Sequence, residues 1–284
     1  GIIYADLINT VSEKYSLEIQ TPELGEGLDG LLRKRSQKLH GIVNGIDYHS
    51  FDPQTDQRIY KNYSIDNMEP KKENKFALQE ELGLPRKDVP MISIISRLAS
   101  QKGFDILEQI IDKLLYDRDI QFVLLGTGED QYQQMFSNLK IKHRDKTAII
   151  IGFDADLAQK IYAASDMFLM PSRFEPCGLG QLICLRYGTI PIVHSTGGLE
   201  DTIVDFQGDP DNGNGFSFNN YSPMDLQHAI DRALDLYYNH GDQWKKLMKN
   251  AMGADFSWKN SAQKYVSLYK KAIQIRRREM TKTG

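Results

Sequence analysis

The chain has 284 residues, of which 40% are hydrophobic and 26% charged, with a net charge of −3. That balance reads as a globular protein with room for one large domain or two ordinary ones, and it excludes a general attraction to nucleic acid or to an anionic membrane. No apolar run approaches the roughly 18 residues of a membrane span, and no secretory signal is visible.

Residues 21–30 are glycine-rich and read as a loop, and residues 51–67 have few aliphatic residues and no period, which reads as a linker. A helix is expected over residues 71–82, with Phe76, Ala77 and Leu82 apolar, Gly83 as its stop and Pro85 beyond. Strands and helices then alternate. Apolar strands are expected at residues 91–96, 121–125, 148–151, 166–170 and 189–193. Between them lie amphipathic patterns at residues 104–115, 131–139 and 157–164. Gly178 opens another helical pattern carrying Leu179, Leu182, Ile183 and Leu185, and a further helix pattern follows at Leu199. Residues 209–215 are turn-rich, Ser222 caps a helix with Pro223 in its first turn, and a last helix runs over residues 258–278 with Val266, Leu268, Tyr269 and Ile273 apolar. Such alternation implies an α/β fold around a doubly wound parallel sheet, which binds ligands off the carboxyl ends of its strands. Ser96-Arg97, Gly126, Gly152-Phe153, residues 171–175 and residues 194–198 all fall at those ends.

Arg97 and Lys102 are cations on a loop after a strand, placed either to stabilise a developing anion or simply to be solvated. Glu175 lies between a strand end and a glycine-led helix, as a site carboxylate or as one favoured by the helix dipole. Thr196, Gly197 and Gly198 offer a hydroxyl and amides to a phosphate, or form a tight turn into a helix. Phe153 is either a platform for a flat base or a core side chain. Gly126-Thr127-Gly128 starts a dinucleotide fingerprint, but Gln131 takes the third glycine position, which disfavours a nicotinamide dehydrogenase. Cys177 and Cys184, seven apart on one helix face, fit neither a metal spacing nor a disulfide framework and read as free thiols in a reducing cytosol.

Several of these stretches carry a resemblance. Residues 173–179 (Arg-Phe-Glu-Pro-Cys-Gly-Leu), residues 195–202 (Ser-Thr-Gly-Gly-Leu-Glu-Asp-Thr), Ser96-Arg97-Leu98 with Gln101-Lys102-Gly103, residues 21–28 and residues 43–47 occur in an order similar to that of the bacterial glycogen synthases and plant starch synthases. The resemblance implies a retaining glycosyltransferase of GT-B type, with two Rossmann-like lobes. It divides the chain into the tail of the N-terminal lobe and hinge (residues 1–50), a linker and helix (51–84), the nucleotide-sugar-binding C-terminal lobe (85–255) and a terminal helix crossing back toward the first lobe (256–284). The first twelve residues would be a late strand of a first lobe whose remainder is missing. The implied reaction moves glucose from ADP-glucose, with UDP-glucose the competing donor, to the non-reducing end of an α-1,4-glucan such as glycogen or starch.

By the same resemblance Arg97 and Lys102 stabilise the departing diphosphate and Glu175 positions the sugar. Glu175, Cys177, Gly178 and Leu179 form the sugar site, and Thr196, Gly197, Gly198, Phe153 and Gly126 the nucleotide and phosphate site. No cofactor is expected, neither metal nor pyridoxal phosphate. Asp154-Ala155-Asp156 is similar to a metal motif of another glycosyltransferase class, but helix capping before Leu157 explains it as well. The acidic turn at residues 209–215 lacks the glutamate of a calcium loop, with Asn220 in that place. The sequence departs from the family pattern at Gly180, usually threonine, and at His194-Ser195, usually more basic. Ile183 stands where many retaining relatives carry a second glutamate that the glycogen synthases commonly lack. The expected location is the cytoplasm, or the plastid in a plant. Two other readings are a sugar phosphorylase, which requires pyridoxal phosphate on a lysine, and a non-catalytic glucan-binding scaffold, against which Arg97, Lys102 and Glu175 argue together.

Overall fold

A computed structural model of the chain describes residues 1–281. The first forty residues form a small parallel pair. Strand β1 (Ile8–Thr10) leads into helix α1 (Glu13–Glu18), helix α2 (Asp29–Lys34) follows, and β2 (Leu39–Gly41) pairs with β1. The strand expected in this stretch therefore lies at Ile8–Thr10, while Ile3 and Tyr4 sit in turns, 57% and 88% exposed. Residues 51–67 carry no helix or named strand, yet they are not a solvated tether. Ile59 and Tyr63 are buried, the Tyr63 hydroxyl donates to Tyr187 O at 2.7 Å, and the Tyr187 hydroxyl donates to Asp56 at 2.5 Å.

From there strands and helices alternate: α3 (Lys71–Glu81), β3 (Met91–Ile95), α4 (Phe104–Asp117), β4 (Gln121–Gly126), α5 (Asp130–Lys142), β5 (Thr147–Ile151), α6 (Ala155–Ala164), β6 (Met167–Met170), α7 (Gly180–Arg186), β7 (Ile190–His194), α8 (Gly197–Thr202), β8 (Phe216–Phe218), α9 (Pro223–Asn239), α10 (Gly241–Gly253) and α11 (Trp258–Met280). The six strands form one parallel sheet in the order β5-β4-β3-β6-β7-β8. Order reverses between β3 and β6, so a crevice opens there at the carboxyl ends. The apolar runs dictate this arrangement. Every residue of β4 is buried, and α4 turns Phe104, Leu107, Ile111, Leu114 and Leu115 into the core at helical spacing. Strand β8 and helix α10 lie outside the expected elements. The first is too short to show a period, whereas the second buries Trp244, Leu247 and Ala251 at helical spacing behind an initial glycine. Among the described residues no helix is long and apolar enough to cross a membrane.

Two lysines fasten α3 under the amino-terminal ends of the strands. Lys71 donates to Ala163 O at 2.8 Å and to the Thr189 hydroxyl at 2.9 Å, and burial pulls its amine down to about 7. Two donated bonds suit a neutral amine, which has two N–H groups. One turn later burial works against the Lys75 ammonium too, but Asp166 at 2.9 Å and the Tyr237 hydroxyl outweigh it and hold the ammonium above its ordinary value. Because the folded value of Lys71 lies below its unfolded one, the unfolded chain binds more protons between about 7 and 10.5. The destabilisation is complete below that window and is relieved as pH rises, by ~1 kcal/mol per pH unit. Denaturation midpoints between pH 7 and 9 should thus rise more steeply for the native chain than for Lys71→Met; parallel slopes would show that Lys71 keeps its proton.

Candidate active site

The loop after β3 runs through Ser96 and Arg97 into a short 3-10 turn, Ser100–Lys102, and Gly103 then enters α4 with φ +77°. A β-carbon on Gly103 would lie 1.8 Å from Pro171 O, so this glycine permits the loop to press directly on the one after β6. Backbone and side-chain bonds stitch the two loops: Arg173 N donates to Gln101 O at 2.9 Å, and Gln101 Nε2 donates to Phe174 O at 3.1 Å. Across this seam Lys102 Nζ meets Glu175 Oε2 at 2.6 Å, and the Ser172 hydroxyl donates to the same oxygen at 3.1 Å. Glu175 is only 7% exposed. A pair this shielded is held far more firmly than a surface ion pair, and each partner would be costly to leave alone. Arg97 is exposed and has no side-chain partner among the described residues.

A cavity of about 240 Å³ opens over this pair, bounded by Ser96, Arg97, Lys102, Glu175, Gly178 and Leu179. A second hollow of about 220 Å³ adjoins it, sharing Ser96 and Arg97 and adding Gly126, Gly152 and Phe153 from the ends of β4 and β5. Gly126 is required for the junction, since a β-carbon there would sit 2.1 Å from Ser96 O. Phe153 is 91% exposed, so the alternative of a core phenylalanine is removed and its ring is available to a ligand. A larger cavity of about 530 Å³ lies at the opposite end of the strands, around Lys71, Lys75, Asp166 and Trp244. There the two buried lysines are bound to a carbonyl, a hydroxyl and Asp166, so size alone does not mark the reactive end.

Four expected ligand residues are placed otherwise. The Thr196 hydroxyl and the Gly197 amide both donate to the Glu18 carboxylate, at 3.1 and 3.0 Å, and the Gly198 amide donates to Glu175 O at 3.0 Å. β-Carbons on Gly197 and Gly198 would each lie 2.0 Å from a carbonyl, of Glu175 and Cys177 respectively. In this structure these groups form a tight turn with protein partners and bound neither hollow. Cys177 is also off the cavity wall. It is buried, and burial pushes its thiol up against the opposing effect of a hydrogen bond from the Asn44 backbone. Asp154 caps α6, accepting from Asp156 N and Leu157 N at 3.0 and 2.9 Å, and Asp209 accepts from Asp211 N and Asn212 N in its own turn. Ile183 is buried beside Leu182 and Tyr187.

Sequence reasoning missed the supports around Glu175. His194 Nδ1 lies 2.8 Å from Ser172 O, with its ring against Phe218 and Tyr221. Arg173 stacks on the Tyr221 ring at 4.7 Å and pairs with Asp105 at 2.9 Å, and the Tyr221 hydroxyl donates to Asp105 at 2.5 Å. Burial, with the Asp105 carboxylate beside it, pushes that tyrosine's titration up. These contacts join residues far apart in the chain and leave no local motif. Ser172, Arg173 and His194 lie in stretches that the sequence had already singled out, but their contacts with Asp105, Phe218 and Tyr221 were not legible there. Chemically, a carboxylate paired with a shielded lysine in a cavity that an exposed arginine also lines suits a polyhydroxylated ligand bearing an anionic leaving group. The aromatic ring in the adjoining hollow suits a flat heterocycle.

Residues 75–251 match the family "Glycosyl transferases group 1", and residues 1–34 match "Starch synthase catalytic domain". The chain is 60% identical over 284 residues to the glycogen synthase of Moorella thermoacetica, covering 100% of this chain and 58% of that protein. It is 52% identical over 274 residues to the glycogen synthase of Thermotoga maritima, 96% of this chain and 56% of that one. Among solved structures, the catalytic domain of Starch Synthase IV from Arabidopsis thaliana bound to ADP and acarbose superposes with a TM-score of 0.89 at 37% identity, covering 96% of this chain and 57% of that one. The chain thus spans somewhat over half the length of the proteins it matches.

Proposed function

The chain belongs to the group 1 glycosyl transferases, of GT-B type, and within them to the glycogen and starch synthases; from that membership we propose that it forms the donor-binding part of an enzyme that transfers glucose from ADP-glucose to the non-reducing end of an α-1,4-glucan with retention. The observation that carries the reading is the Lys102–Glu175 pair under a cavity that Arg97 also lines. In the proposed reaction the glucan hydroxyl approaches the anomeric carbon on the face from which the diphosphate departs. Negative charge grows on the leaving oxygens, and Arg97 and Lys102, the two cations that line the cavity, stabilise it. Glu175 accepts hydrogen bonds from the sugar and faces the positive charge that develops on its ring. Gly178 and Leu179 close the wall of the sugar pocket, and Phe153 stacks on the base. The division into lobe tail, linker, C-terminal lobe and terminal helix, a cytoplasmic location, and a reaction needing neither metal nor pyridoxal phosphate belong to the same proposal.

ADP is expected to bind the 284-residue chain, and about tenfold more tightly than UDP. The solved neighbour bound to ADP supports that order. Base stacking on an exposed aromatic contributes ~1–3 kcal/mol, so Phe153→Ala should weaken ADP about tenfold. Calorimetric titration measures both. No heat at millimolar ADP would remove the nucleotide assignment, and with it the case against a non-catalytic glucan-binding scaffold.

A further inference from the structure

Helices α1 and α8 lie side by side and each caps the other. The carboxylate of Glu18, at the end of α1, accepts from the Thr196 hydroxyl and the Gly197 amide at the start of α8. The carboxylate of Asp201, in α8, accepts from the Glu13 and Lys14 amides at the start of α1, at 2.6 and 3.1 Å. Lys14 and Glu200 add an ion pair at 2.9 Å, and burdens of unsatisfied amide are removed at both helix starts. Helix α1 belongs to the β1–β2 unit, whereas α8 follows β7 of the six-stranded sheet, so this clasp joins two separate sheets.

The clasp continues directly into the site. The amide next to the clasped Gly197 is that of Gly198, which donates to the Glu175 carbonyl at 3.0 Å. The Gly197 α-carbon lies so close to that carbonyl that no β-carbon fits between them. Any shift of the turn is therefore passed to the Glu175 backbone, and its side chain is the one held by Lys102 and Ser172. We infer that Glu18 is a positioning residue for Glu175, transmitting the placement of the β1–β2 unit to the site carboxylate through the Thr196-Gly197-Gly198 turn. The inference rests on the proposed function, in that Glu175 is taken as the group that meets the donor sugar.

Two measurements test it. In the 284-residue chain, Glu18→Ala should move the Gly198 amide resonance and the carboxyl carbon resonance of Glu175, while Glu18→Gln, which keeps an acceptor for the Gly197 amide, should move them much less. Glu18→Ala resonances unchanged at both places overturn the inference. In protein able to transfer glucose, Glu18→Ala should lower kcat about tenfold with KM for ADP-glucose nearly unchanged, and lower it by less than about twofold when Glu175 is already glutamine. Equal losses in both backgrounds would make Glu18 a general structural residue and overturn the inference as well. Should Glu18→Ala fail to fold, Thr196→Val removes one of the clasp's donors and is read by the same two criteria. A native protein that transfers no glucose from any nucleotide sugar would sink the proposed function, while the resonances would still decide for or against the coupling.

Discussion

Replacing Glu175 by alanine is expected to lower kcat for glucose transfer about a hundredfold, with KM for ADP-glucose changed only a few-fold. The carboxylate is buried, already oriented by Lys102 at 2.6 Å and Ser172 at 3.1 Å, and needs no reorganisation when positive charge develops on the sugar ring. Loss of one fixed group of this kind costs on the order of 3 kcal/mol in the transition state. Lys102→Ala should have a comparable effect from the other side of the pair, because it removes a cation from the departing diphosphate and strands Glu175. The expected order is informative. Glu175→Gln keeps an acceptor for the Ser172 hydroxyl and for the sugar but loses the charge, so it should fall nearer to alanine than to the native enzyme. Each variant leaves a shielded group without its partner, and its thermal melt has to be recorded beside its rates. Native kcat in a folded Glu175→Ala protein would strike Glu175 from the mechanism.

What could be read from the sequence follows from how far each feature reaches along the chain. Strands β3 to β7 were legible because each is an apolar run closed by a glycine, a proline or a polar loop, and α4 because its apolar residues keep one face over its whole length. Arg97, Lys102 and Glu175 were legible through their motifs, and the structure brings Lys102 and Glu175 into contact over 73 positions. Thr196, Gly197 and Gly198 have partners here that the sequence does not announce. A glycine pair at a helix start has bare amides in the sequence, but here a carboxylate 178 and 179 positions away takes the first of them. Nothing local in Glu18 announces that contact. Phe153 shows the converse: both readings were open in the sequence, and only its exposure separates them.

The 284 residues taken by themselves are expected to bind ADP yet to elongate glucan at least about a thousandfold more slowly than the same residues joined by a complementary first lobe. The matched proteins are longer, this chain spanning 58% of one of them, and residues 1–34 match a starch synthase catalytic domain. Here the corresponding unit is a pair of three-residue strands, too small to form one wall of a reaction crevice. Helix α11 points to the same gap. It runs along that unit, with Ser261 donating to Val43 O at 2.8 Å and Arg276 within 3.5 Å of Asp6, yet Ser261 is its sole buried residue among those described. Trp258, Val266, Tyr269 and Ile273 stand 48% to 62% exposed at helical spacing, an apolar face that a packed lobe would cover. Without a second lobe closing over the cavity at Glu175, water would reach the donor and nothing would hold an acceptor in line. The assay is transfer of labelled glucose from ADP-glucose to glycogen, with the chain alone and with a complementary first lobe supplied. Equal rates in the two would mean that Arg97, Lys102 and Glu175 already form a complete site, and that closure by a second lobe contributes nothing to the chemistry.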